Sequence, residues 1–125
     1  MISRKEPTED QEQMALMQWA KFEEGAHPEL KLLHHIPNGG SRTKAEAGRF
    51  RAMGVKPGVP DLFLPVARGG LHGLYIELKR QEGGRASAAQ KGWMKALEDQ
   101  GYAVHLCHGW EYAKNVILEY LGMKG

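Results

Sequence analysis

Apolar and polar positions along the 125-residue chain change period several times, and each change marks an element. Thr8-Glu9-Asp10-Gln11 has the form of a capping box, with Pro7 before it and acidic residues in its first turn. Leu16, Trp19, Ala20 and Phe22 then recur at helical spacing, which predicts a helix over 8–24 ended by Gly25 and Pro28. The run Leu30-Lys31-Leu32-Leu33-His34-His35-Ile36 predicts a strand, closed by a Pro37-Asn38-Gly39-Gly40 turn. Thr43 to Met53 predicts a second helix stopped by Gly54, and the two prolines of Val55–Pro60 predict an extended loop. Asp61–Leu64 and Leu74–Lys79 predict two strands joined through Gly69-Gly70. After Gly83-Gly84, a second capping box, Ser87-Ala88-Ala89-Gln90, opens a helix running to about Glu98 with Trp93, Met94 and Leu97 on one face. Tyr102–Cys107 predicts a last strand and Trp110–Leu121 a last helix. The order α-β-α-β-β-α-β-α predicts an α/β layer fold around a mixed sheet, because adjacent strands without a crossover helix pair antiparallel.

Composition leaves this picture intact. With 42% hydrophobic and 26% charged residues the chain is ordinary globular material, read as one domain over 1–125. A single cysteine excludes an internal disulfide framework. Without a secretory leader or an apolar run of membrane-spanning length, the expectation is a soluble, cytoplasmic protein with no membrane partner. Charge is more informative. Residues 1–37 carry −3, residues 38–91 carry +6 and residues 92–125 carry −1, so a net charge of +2 conceals a basic middle segment. Such asymmetry points to nucleic acid, although the same residues spread over a surface would bind nothing.

The chemistry concentrates between residues 60 and 90. On a strand, Glu77 and Lys79 project to one face while Ile76 and Leu78 project to the other. Asp61, following Pro60, opens a strand able to lie alongside. Glu-x-Lys alone is a common surface ion-pair pattern, but two carboxylates and an ammonium on one face suit a hard divalent cation, Mg²⁺ or Mn²⁺. Such an ion activates water and neutralises phosphodiester charge. Asn38, Gly39, Gly40 and Arg42 offer an amide, backbone N–H groups and a guanidinium to phosphate oxygens, and Lys44, Arg49, Arg51 and Lys56 follow. Gln90 has two competing roles, lining this site or closing its own capping box.

Pro37-Asn38-Gly39-Gly40, Gly54-Val55-Lys56-Pro57-Gly58-Val59-Pro60-Asp61, Glu77-Leu78-Lys79-Arg80 and Ser87-x-x-Gln90 together resemble the VRR-NUC family, a branch of the PD-(D/E)XK nuclease superfamily with single-domain members in phages and prophages. The likeness runs over about residues 8–121. It implies a restriction-endonuclease-like core in which Asp61 and Glu77 hold the metal, the Leu78 main-chain carbonyl adds a ligand, Lys79 is the catalytic lysine and Gln90 lines the site. It also implies an acidic ligand from the first helix. Glu9 fits the family spacing, whereas Glu12 lies on the inward stripe, and both remain open. Stand-alone members look like homodimeric, structure-selective endonucleases acting on branched DNA such as four-way junctions, a reading that two-fold symmetry favours.

Other constellations are weaker. Neighbouring His34 and His35 face opposite ways, and the remaining histidines lack zinc-ligand spacing. Cys107 on an apolar strand reads as core, as do Trp19, Trp93, Trp110, Met14, Met17 and Met94. No glycine pattern matches a P-loop or dinucleotide fingerprint, so no organic cofactor is expected. The expected function is a Mg²⁺- or Mn²⁺-dependent endodeoxyribonuclease. The alternatives are a non-catalytic nucleic-acid-binding module or a nuclease of flaps, plain duplex or RNA.

Overall fold

A computed structural model describes residues 5–37 and 43–125. The first capping box forms: Thr8 Oγ1 accepts from the Gln11 N–H and the Gln11 side chain accepts from the Thr8 N–H. It opens α1 (Glu9–Glu23), on which Leu16 and Ala20 are buried. The expected strand over 30–36 is replaced by a short 3-10 helix (Pro28–Leu32) and a two-residue strand, β1 (His34–His35). The cause is local. Pro28 sits at the start of a tight turn, and Leu30 and Leu33, three residues apart, both reach the core as a 3-10 repeat allows.

Thr43 caps α2 (Lys44–Ala52), which buries no residue. β2 (Leu62–Leu64) and β3 (Leu74–Lys79) follow, then α3 (Ala88–Asp99), β4 (Ala103–His108) and α4 (Trp110–Leu121). The four strands form one mixed sheet in the order β1-β2-β3-β4, antiparallel except for the β3–β4 pair, which α3 joins as a parallel crossover. One face, carrying Leu62, Leu64, Leu74, Ile76 and Leu78, packs on Leu16 and Ala20 of α1 and on Ala113, Ile117 and Tyr120 of α4. Ile117 and Leu121 of α4 belong to the core. Trp19, Trp110 and Met17 pack against that core while only half-buried, but Met14 and Phe22 are exposed, contrary to expectation. No helix among the described residues is long and apolar enough to cross a membrane.

Candidate active site

The opposite face of β3 is the unusual one. Strand alternation puts Tyr75, Glu77 and Lys79 there, and Glu77 and Lys79 are only 1% and 6% exposed. Burying two ionisable side chains in one strand requires compensation. Lys79 Nζ lies 3.4 Å from Glu77 Oε2 and donates to Gln90 Oε1 at 3.1 Å. Gln90 Nε2 donates to the same Glu77 Oε2 at 3.1 Å. Glu77 Oε1 is buried with no hydrogen-bond partner among the described residues.

Asp61 arrives from the neighbouring strand. Its main-chain carbonyl is held by the Ile36 N–H at 2.7 Å and by His35 Nδ1–H at 2.8 Å. Its Oδ2 accepts from the Leu78 N–H at 2.8 Å. Pro60 explains this cross-strand bond. Extending the β2–β3 register beyond Leu62↔Ile76 sets Pro60 opposite Leu78, and proline has no N–H for the Leu78 carbonyl. The ladder therefore ends here, and the Asp61 side chain takes the Leu78 N–H in its place. Gly58 sets the approach of this loop. At φ +95°, it lies so close to α3 that a Cβ would meet the Ala89 backbone at 2.8 Å.

The electrostatics follow from this packing. Burial first and the Asp61 charge second push the Glu77 carboxyl from 4.5 up to about 8, against an opposing pull from Lys79. Two carboxylates forced together, one with an orphaned oxygen, form a donor set matched to a hard cation. Asp61, Glu77 and the Leu78 carbonyl are the groups that would hold it. The chemistry of the donors, and not their number, is what fits: no cluster of three or more His, Cys, Asp or Glu side chains suited to a metal occurs among the described residues.

The structure thus brings Asp61, Glu77, Lys79 and Gln90 together and leaves other expected residues elsewhere. Glu9 is exposed on the first turn of α1, in a basin of about 500 Å³ shared with Glu6, Thr8, Asp10 and Arg80. Glu12 is 1% exposed, but its Oε1 accepts from the Trp110 N–H at 3.0 Å and its Oε2 from Gln81 Nε2 at 3.0 Å. It caps α4, whose N-cap Gly109 has no side chain to offer, and it sits at that helix's positive end. Neither acid forms a three-carboxylate cluster with Asp61 and Glu77 among the described residues. Lys44, Arg49 and Lys56 are exposed on and after α2, with the Arg49 guanidinium 5.8 Å from the Phe50 ring centroid. Asn38, Gly39, Gly40 and Arg42 lie outside the described residues.

Sequence reasoning missed Arg80 and Glu6. Arg80, the residue after Lys79, pairs with Glu6 at 2.7 Å, and Glu6 also accepts from the Glu82 N–H, which together hold its carboxyl below the usual range. No short-range pattern links positions 74 residues apart.

Comparison with known proteins identifies the domain. The family model for the VRR-NUC domain matches residues 6–111. A solved structure described as a VRR_NUC domain protein superposes with a TM-score of 0.84 at 35% identity, covering 97% of this chain and 93% of that one. No protein with a curated description matches. A family match over most of the chain, with a structural relative of nearly the same length, places this protein in the VRR-NUC family of nuclease-type domains.

Proposed function

We propose that the chain is a Mg²⁺- or Mn²⁺-dependent DNA endonuclease built on a PD-(D/E)XK core, selective for branched DNA such as four-way junctions and working as a homodimer. The observation that carries the reading is the buried, unpartnered Glu77 Oε1 beside Asp61, with Lys79 and Gln90 closing the other side. A structural ion pair does not need a second carboxylate crowding the first.

When bound, a divalent ion supplies charge neutralisation and water activation at the scissile phosphate. Asp61 and Glu77 hold it, and the Leu78 carbonyl is free of a β2 partner at the same edge. Lys79, already desolvated, brings its ammonium to the attacked phosphate, where its charge counts for more than in water. Gln90 bonds to both Lys79 and Glu77 and so braces their ion pair. The basic residues of α2 and the following loop, Lys44, Arg49 and Lys56, grip the flanking backbone. Preference for a junction and the two-fold assembly rest on family likeness and on the match of a symmetric dimer to a symmetric four-way substrate.

A gel assay on labelled duplex, 5′-flap and four-way-junction DNA, with Mg²⁺, Mn²⁺ or EDTA, tests the reading. Paired nicks on the junction that vanish with EDTA and in Lys79→Ala, while DNA binding persists, are expected. Full-rate cutting by Lys79→Ala would sink the assignment of Lys79. No product on any substrate, with binding intact, would leave a non-catalytic nucleic-acid-binding module.

A further inference from the structure

Gln90 carries both roles that competed for it, through different atoms. Its Oε1 accepts from the Ser87 main-chain N–H at 2.8 Å and from Lys79 Nζ at 3.1 Å, while its Nε2 donates to Glu77 Oε2 at 3.1 Å. The Ser87 hydroxyl in turn accepts from the Gln90 N–H at 3.1 Å. A side-chain amide has two faces that differ only in where oxygen and nitrogen sit. A backbone N–H can only donate, so the atom facing Ser87 must be the oxygen, and the NH₂ group is forced toward Glu77. The capping box therefore fixes which way round the amide stands.

The three partners of that amide differ in permanence. Lys79 and Glu77 belong to the reacting set and must change partners when phosphate and metal enter. The Ser87 N–H, locked at the start of α3 with φ −71° and ψ 168°, has no part in that exchange. We infer that Ser87 is a positioning residue whose main-chain N–H holds the Gln90 amide in the one orientation that accepts from Lys79 and donates to Glu77. The helix cap is thus also an orienting device for the active site. This rests on the nuclease reading above for its consequence on rate, but not for its geometry.

Proline offers a clean deletion. The φ of Ser87 already matches the proline ring, and Ala86 before it is outside any helix, so Ser87→Pro removes the N–H without bending the chain. It also removes the hydroxyl, so Ser87→Ala, which removes the hydroxyl alone, sets the baseline, and Ser87→Thr, which keeps both groups, should rescue. Thermal melts of all three check that the proteins remain folded. With Mg²⁺ and saturating junction DNA, Ser87→Pro is expected to turn over about 10–100-fold slower than Ser87→Ala, with KM unchanged, as for other residues that orient a reactive group. Equal turnover in the two variants would overturn the inference.

A second readout does not need activity. In the Lys79→Ala background the Ser87 N–H is the remaining donor to Gln90 Oε1. The side-chain NH₂ pair of Gln90 in a ¹⁵N-correlated NMR spectrum should keep chemical shifts displaced from those of the solvent-exposed glutamines, and slow exchange with solvent, in Lys79→Ala and in Lys79→Ala/Ser87→Ala, both of which keep that N–H. It should move to the shifts and the exchange rate of the solvent-exposed glutamines in Lys79→Ala/Ser87→Pro. An unchanged pair there would refute the orienting role. If the wild type cuts nothing, the nuclease reading fails and this spectrum alone decides the geometry.

Discussion

Replacing Glu77 by glutamine should make the metal-free protein more stable while abolishing cleavage. Glu77 is 1% exposed and its carboxyl is pushed from 4.5 up to about 8 by burial first and by Asp61 second. At 1.36 kcal/mol per pH unit, that displacement corresponds to a ceiling of about 5 kcal/mol against the ionised form in the fold. Between about pH 4.5 and 8 the native state binds a proton the unfolded chain has released. Stability contributed by this group is therefore complete below pH 4.5, falls as pH rises through that window, and levels off above 8. Glutamine cannot ionise, and its NH₂ can donate to Asp61 where the carboxylate repelled it. Lys79 loses an ion-pair partner at 3.4 Å, which offsets part of the gain. The net expectation at pH 8.5 is about 1–4 kcal/mol in favour of the variant, as when other buried charges are neutralised. Urea unfolding of both proteins in EDTA, from pH 4.5 to 8.5, measures it. Mg²⁺ should shift the difference toward the wild type, because ligand at a hundred times its dissociation constant adds about 2.7 kcal/mol to the protein that binds it. A variant no more stable at pH 8.5, or a difference that does not grow with pH, would refute the claim that Glu77 is strained without metal.

Other perturbations read different parts of the molecule. Glu12→Ala strips the cap from α4 and leaves a buried N–H unpaired, and should cost about 1–3 kcal/mol in chemical denaturation. An equal loss in Glu9→Ala would show that helix-dipole charge on α1, not the α4 cap, was responsible. Gly58→Ala meets both a φ of +95° and the Ala89 backbone, so a loss of about 1–3 kcal/mol is expected, with cleavage reduced further than by Glu12→Ala because Asp61 moves with the loop. Cys107 is fully buried and its thiol is pushed up to about 12, so it should resist a thiol reagent at pH 8 until urea unfolds the chain; rapid labelling of the native protein would contradict its core placement.

Elements whose signal is local were legible. Alternation delimits β3 at Leu74–Lys79, and the Ser87 and Thr8 capping boxes mark the starts of α3 and α1 because cap, backbone and side chain lie within one turn. The segment around Leu30 was misread because apolar residues three apart, flanked by more apolar residues, look alike in a strand and in a 3-10 turn. Asp61, Glu77 and Lys79 stood out through residue type and spacing, but the strain on Glu77 did not, since burial is a property of the assembled sheet. The inward stripe correctly turned Glu12 toward the interior, yet its partner is the Trp110 N–H, and no local pattern announces that contact. The Glu6–Arg80 pair escaped for the same reason.

The Glu12 cap on α4 has a consequence for how the protein comes into being. Residues 12 and 110 are 98 positions apart, and α1 and α4 together cover one face of the sheet that carries Asp61, Glu77 and Lys79 on the other. Closing so long a loop is slow, and its entropy is lost before the contact rewards it. During synthesis α1 emerges well before α4, and its Glu12 carboxylate stays solvated until Trp110 follows. The sheet cannot bury its underside before then, and the paired carboxylates have no rigid floor. A chain cut before Trp110 therefore lacks both the partner of Glu12 and the helix that supports the sheet beneath the Asp61–Glu77 pair.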